Sequence, residues 1–533
     1  MAFSTANEGG FSVLEHATVL EECRKGVRKI GEDLFESLNM IDVVQRLSID
    51  HYFQEEIDEI LRRQYVKYVT DPGDCGHEAL QEAALRFRLL RQRGYYVPAD
   101  VFDSFRDQEG KFNEHLSEDI NGLMALYEAS QVSIPGEVTL DEARDFSEQV
   151  LLNAKVKYLD NNQVRAVENC LANPCHKSLA RFMAKSFLNS FQCTSGGLMN
   201  DLHQLAKMDF NMTQSMHHKE IDVVLKWWRD TGLAKELKFA RDQPLKWYIC
   251  SMVCLVHPEM SDDRVELAKP ISLIYIIDDI FDLYGMLEEL TLFTEAINKW
   301  DIAALEQLPE CMKRCFKALY DITDEISYKI YQKYGLNPIE SLRKTWTSLI
   351  NAFLKEARWL ASGYSLNSDE YLKNAIVSTG VHVVLVHTLF LLGHCMTKED
   401  EDFVENMPGI ISSTATILRL WDDLGNAMDE KQEGRDGSYL EYYMKEHKDC
   451  SIKEAREKVA NMILDAWKCL NKECLFPNPF PQTFSKACLN IARMVPLLYN
   501  YDDNHGLPIF EEHVKSLLYE SICIGKEKKR RKM

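Results

Sequence analysis

Apolar and polar residues recur along this chain with a period near 3.6, and the strict alternation of half-buried strands is nearly absent. Only 15 prolines and 24 glycines punctuate 533 residues, which suits long helices joined by short loops. Amphipathic stretches predict helix over Leu38–Leu61 (LNMIDVVQRLSIDHYFQEEIDEIL), over 77–97 (HEALQEAALRFRLLRQRGYYV) and over 122–132 (GLMALYEASQV). The polar segment VFDSFRDQEGKF separates the last two, and Pro135–Gly136 and the Asn161–Asn162 neighbourhood read as loops. Small polar residues around Ser195–Gly197 mark a domain junction. The expectation is an all-α chain with one helical domain over 1–207 and a second over 208–533.

Ile271–Gly285, ISLIYIIDDIFDLYG, departs from simple amphipathicity. A helix apolar nearly all round is normally buried, yet this one holds Asp278, Asp279 and Asp282 and no base. Asp278 and Asp282 are four apart and project from one helical face, where like charges repel. A solvated acidic patch at a helix end is the plainer account. The apolar flanks favour the other, in which Asp278 and Asp282 ligate a hard divalent cation that prefers carboxylate oxygens. Asp279, about 100° further around the helix, is expected to support its neighbours rather than ligate.

About 140 residues later, Arg419–Glu430 reads RLWDDLGNAMDE. Asp422, Asn426 and Glu430 fall at i, i+4 and i+8, stacking three oxygen donors on one face over two turns. Alone this could be an ordinary polar face; paired with the first site it suits a second hard-cation site. Arg419, one turn before Asp422, and Arg241, some 37 residues before the aspartates, could each be a surface ion pair. Beside two acidic helices they are candidates for gripping an anion, since guanidinium contacts phosphate oxygens in a planar, multidentate way.

Composition narrows the function classes. A net charge of −21 argues against broad attraction to nucleic acid, and 46% hydrophobic with 27% charged residues is globular. The fifteen cysteines are scattered, without CxxC, and read as free thiols of a reducing compartment. The N-terminus MAFSTANEGGFSVLEHATVL lacks an apolar signal core and carries Glu8 and Glu15. No apolar run is expected to reach transmembrane length; the longest, near Gly380–Gly393, is interrupted by His382 and His387. Together these lead to a cytoplasmic location with no stable membrane anchoring.

FRLLRQRGYYVPADVFDSFRDQEGKF, IDDIFDLYG and LRLWDDLGNAMDE together resemble a plant terpene synthase over essentially the whole chain. The resemblance implies two helical domains, a C-terminal class I terpenoid synthase bundle with the active site and a catalytically silent N-terminal α-barrel relict. It implies prenyl diphosphate substrates and three Mg2+ ions, with Mn2+ as a possible substitute, and no protein nucleophile. Metal ligands would be Asp278, Asp282, Asp422, Asn426 and Glu430, with Asn426 where the family usually has Ser or Thr. Arg241, Asp278, Asp282, Arg419 and Asp422 would hold the diphosphate. Gln243 stands where the family's Arg-x-Arg motif has its second arginine. Lys431–Ser438 would form part of a lid.

Other departures bear on the product. No tandem Arg with a Trp eight residues on precedes Leu38. Cys250 occupies an often aromatic position, and Tyr499 matches a C-terminal family segment whose later positions hold Asn504 and Gly506. Fewer aromatic faces leave fewer places to stabilise a travelling carbocation. The combination resembles the subgroup making acyclic linalool from geranyl diphosphate and nerolidol from farnesyl diphosphate. Alternatives are an acyclic hydrocarbon (myrcene or ocimene) synthase or a cyclising mono- or sesquiterpene synthase. Outside the family stand a chain-elongating prenyltransferase, which would show two DDxxD motifs, and a non-catalytic helical protein. The expected partners are the two small-molecule diphosphates alone, no nucleic acid, with the chain a monomer.

Overall fold

The computed structural model describes residues 13–30, 33–70, 79–157, 159–190, 197–364, 366–394, 407–426, 437–475, 478–499 and 508–522. The fold is all-α: among these residues the extended pairing is a single bridge between Arg106 and Phe112. Two compact units form, one from 1–217 with 475–477 and 510–533, the other from 218–474 with 478–509. The division falls within one helix, Leu198–Thr231.

In the first unit the periodic stretch Leu38–Leu61 is two helices, Leu34–Arg46 and Gln54–Thr70, broken around Ser48 at φ 59°. The break is silent in the apolar pattern because Leu47, Ile49 and Phe53 within it are themselves buried. Asn161–Asn162 is not loop but the first turn of Asn161–Ala172. Asp160 caps it, accepting from the Asn162 and Gln163 N–H groups at 2.8 and 2.9 Å, while Gln163 Oε1 accepts from the Asp160 N–H at 3.1 Å. The unit's buried charges close on one another. Burial pushes Asp42 up, but Arg46 and Arg88 outweigh it and hold the carboxyl at about 2. Arg46 also reaches Glu128 at 3.2 Å, and Glu128 accepts the Cys175 N–H at 2.7 Å.

In the second unit, the helices that frame the candidate site are numbered here in chain order. They are α1 (Pro244–Cys254), α2 (Ser261–Asp279), α3 (Ser368–Ser378), α4 (Val381–Leu391), α5 (Gly409–Asn426), α6 (Tyr439–Glu446), α7 (Ile452–Cys474) and α8 (Gln482–Leu498). Pro244 opens α1, where its missing N–H costs nothing and its fixed φ is already helical. Helix α1 packs on α2 and α8, and α5 packs on α7 and α8. Helix α4 lies against both α2 and α5 and thus spaces the two acidic helices.

Helix α4 is apolar on every face, and ten of its eleven residues are buried. Its histidines are core residues: burial pushes both down to about 4, so the rings are neutral. His382 Nε2 lies 3.2 Å from the Thr345 carbonyl and His387 Nδ1 2.7 Å from that of Val383. Contrary to the expectation from sequence, Ser368–Leu391 is long and apolar enough to cross a membrane; most of it is buried in this unit. It is two helices meeting at Gly380, whose φ of 69° suits glycine. A Cβ there would sit 2.8 Å from Ile274 Cγ2 of α2, so glycine also lets α4 approach the first acidic helix.

Candidate active site

Helix α2 is driven into the core by Ile271, Leu273, Ile274, Ile276 and Ile277, which delivers Asp278 and Asp279 to its last turn. That is the negative end of the helix dipole, where carboxylates are disfavoured. The backbone then widens into a π turn over Ile280–Tyr284 that carries Asp282. Such turns frequently interrupt helices at functional sites. Asp279 is buried, Asp278 keeps about a third of its side chain in water, and Asp282 is exposed.

Arg241 reaches this helix end from the segment before α1. Its backbone N–H donates to Asp279 Oδ2 at 2.7 Å, and its Nε lies 2.8 Å from Asp279 Oδ1. Its Nη2 donates to Asp278 Oδ2 and, at 3.3 Å, to the Tyr275 carbonyl. Its guanidinium carbon also stands 4.9 Å from the Tyr275 ring centre. Phe239, two residues earlier, stacks on Tyr284 with ring centres 4.6 Å apart and planes 7° apart, pinning this segment to the π turn. Burial pushes the Asp278 carboxyl up, Arg241 opposes it, and neighbouring Asp279 adds to the push.

On α5, Arg419 Nη1 lies 3.1 Å from Asp422 and 3.6 Å from Asp423, while its Nε donates to the Ala375 carbonyl of α3 at 3.3 Å. Asp423 is fully occupied: the Tyr371 hydroxyl donates to one oxygen at 3.1 Å and the Tyr439 N–H to the other at 2.9 Å. Burial pushes Asp423 up to about 6. Asp422 is also raised by burial; Arg419 opposes this, and Asp278 across the site raises it further. Asp422 on one helix thus feels Asp278 on the other, and Asp278 in turn feels Arg419. Among the described residues no cluster of three or more His, Cys, Asp or Glu side chains stands ready-made for a metal ion.

The structure thus brings Arg241, Asp278, Asp279, Arg419 and Asp422 into one electrostatic neighbourhood. Asp282 lies on the adjoining π turn. Asn426 ends α5, its side chain outside the described set. Glu430, 431–436 of the expected lid segment, Asn504 and Gly506 lie outside the described residues. Cys250 is buried on α1, which pushes its thiol up to about 11.

Sequence reasoning passed over Tyr275, Lys246, Asp423 and Tyr371. Tyr275 had a signal, being i−3 from Asp278 on the same helix. Lys246 did too, as a base set among Trp247, Tyr248 and Ile249. Tyr371 and the α6 terminus meet Asp423 only through the fold.

Among the described residues, the second unit brings two acidic, arginine-paired helices to one electrostatic neighbourhood. Comparison with known proteins gives the family. Residues 3–171 match the terpene synthase N-terminal domain and 229–469 the metal binding domain of the terpene synthase family. An (E)-nerolidol synthase of Cannabis sativa is 54% identical over 94% of this chain and 91% of its own length. An S-(+)-linalool synthase of Arabidopsis thaliana, named as chloroplastic, is 47% identical over 91% and 84%. Among solved structures, isoprene synthase of grey poplar with three Mg2+ ions and dimethylallyl-S-thiolodiphosphate matches with a TM-score of 0.88, 33% identity, and 96% and 98% coverage. A limonene synthase with 2-fluorolinalyl diphosphate matches equally well, with a TM-score of 0.90, 33% identity, and 96% and 95% coverage. The chain belongs to the terpene synthase family, lyases that act on prenyl diphosphates with a divalent metal.

Proposed function

We propose that this chain ionises geranyl diphosphate, farnesyl diphosphate or both, and that water captures the cation to give the acyclic tertiary alcohols linalool and nerolidol. The observation that most supports the ionisation step is the pairing of an arginine with an aspartate on each of two helices, Arg241 with Asp278 and Arg419 with Asp422 at 3.1 Å, with Asp278 near enough to raise Asp422. These raised, crowded carboxylates fit a hard cation, and Asp278, Asp282, Asp422, Asn426 and Glu430 are the proposed ligands. Three Mg2+ ions held there would supply Lewis acidity to the leaving diphosphate.

The chain's own groups do the rest. Arg241, paired with Asp278 in the structure, exchanges that carboxylate for diphosphate oxygens when substrate binds. Together with Arg419 it opposes the charge that builds as the C–O bond breaks. Asp279 keeps the backbone and Nε of Arg241 in place throughout. Water adds at the tertiary carbon of the allylic cation and loses a proton to solvent or to the diphosphate.

The named activities of the nerolidol and linalool synthase relatives support an acyclic alcohol. The limonene synthase neighbour keeps a cyclising reading as the competitor. Gas chromatography of products from both diphosphates in magnesium buffer separates them. Linalool and nerolidol are expected. A predominantly cyclic profile overturns the acyclic reading, and myrcene or ocimene in place of alcohols replaces water capture by proton loss.

A further inference from the structure

Lys246 stands on the first turn of α1, five residues beyond Arg241 and three beyond Gln243. It is half-buried, and burial lowers its ammonium from the ordinary lysine range; Cys250 and Asp422 pull it back up, while Arg241 pushes it down. It therefore shares the space between Arg241 and the second acidic helix. Its specific contact is the face of Tyr275, with Nζ 5.7 Å from the ring centre. Arg241 lies 4.9 Å from the same ring.

The two cations converge on one aromatic side chain, one turn before Asp278 and Asp279, but differ in their partners. Arg241 is engaged by two carboxylates. Among the described residues the Lys246 ammonium has no carboxylate within ion-pair distance and no hydrogen bond. A half-buried ammonium left without a partner is costly, and such groups call for a specific explanation. The surrounding charge explains why it is tolerated: Asp278, Asp279, Asp282 and Asp422 give the site an excess of acids.

We infer that Lys246 is a diphosphate-binding residue, supplying from α1 the second cation that Gln243 does not. This deepens the proposed function and rests on it. A lysine presents a compact charge on a flexible stem, so one turn of helix further along it can reach an anion between α1, α2 and α5. Tyr275 then has a role as the shared platform that keeps Arg241 and Lys246 aimed at one ligand without neutralising either.

The test is a calorimetric titration of the full chain with inorganic diphosphate in magnesium buffer, alongside steady-state kinetics with geranyl diphosphate. K246M is expected to weaken magnesium diphosphate about tenfold and to raise KM by a similar factor. K246R is expected to stay within about threefold of wild type, because the charge is kept. Both variants should melt at or above the wild-type temperature, since no hydrogen bond is removed. Wild-type affinity in K246M overturns the inference, as does K246R as weak as K246M or a fall in melting temperature with unchanged binding. The underlying site is judged separately: if D278A binds magnesium diphosphate as tightly as wild type, the active-site reading itself fails.

Discussion

Helix α2 meets an arginine–carboxylate cluster at each end, and the two clusters are built to different ends. At its start, Arg264 is completely buried and grips both oxygens of Glu220 at 2.8 and 2.7 Å. Its remaining donors reach the Leu255 and His257 carbonyls at 2.8 and 2.6 Å, and the Tyr248 hydroxyl adds a third bond to Glu220 at 2.7 Å. Every charge is consumed internally. At its other end, Arg241 and Asp278 each keep about a third of their side chains in water. An arginine–carboxylate pairing is therefore sealed in the core in one place and open to solvent in the other. Solvent access, not the pairing, separates the sealed ion pair from the one proposed to bind.

The comparison can be broken by substitution. D278A should cost the most, lowering turnover of prenyl diphosphates about a thousandfold or more, because it removes a proposed ligand where charge develops. Product assay in magnesium buffer decides it; an active variant removes Asp278 from the metal site. R264M should instead act on stability, by about 3–5 kcal/mol, since it strands the Glu220 carboxylate in the core. Chemical denaturation reads this. R264M/E220L should recover much of the loss, and a single variant as stable as wild type would show the closed cluster to be dispensable.

R241M tests the open end. Turnover should fall about a hundredfold, equivalent to about 2.7 kcal/mol of transition-state stabilisation. Its stability should fall less than that of R264M, because Asp278 can be solvated and buried Asp279 keeps the backbone N–H of residue 241, whereas Glu220 loses both of its guanidinium contacts. If R241M unfolds as readily as R264M while its folded fraction keeps full turnover, the assignment of the two ends is inverted.

Much of this was legible in the sequence. The all-α class follows from apolar periodicity, and the pairing of IDDIFD with RLWDD marks both acidic helices with their arginine. What escaped has identifiable causes. The break at Ser48 is hidden because buried Leu47, Ile49 and Phe53 continue the apolar pattern through it. The helix starting at Asn161 depends on one capping aspartate in a run that composition alone marks as loop. Glu220 and Arg264 are 44 residues apart and show no spacing rule. The absence of a base near the three aspartates is local only: Arg241 pairs with two of them through contacts spanning 37 and 38 residues. Lys246 lies within a segment already singled out, but its missing partner is a property of three-dimensional packing.

The smallest effect concerns what keeps the open end aimed. The Phe239–Tyr284 stack ties the residue two before Arg241 to the residue two after Asp282. Tyr284 is half in solvent, so its packing contributes little to the core. An aromatic pair of this geometry is worth about 0.5–1.5 kcal/mol. Tyr284→Leu should therefore leave the melting temperature nearly unchanged. KM for geranyl diphosphate should nevertheless rise about threefold to tenfold, as Arg241 loses its constraint. Tyr284→Phe keeps the stacked ring and should behave as wild type in both measurements. A Leu variant with wild-type KM would mean that the contacts to Tyr275, Asp278 and Asp279 suffice to position Arg241, and would confine the open cluster to α2 and the arginine it holds.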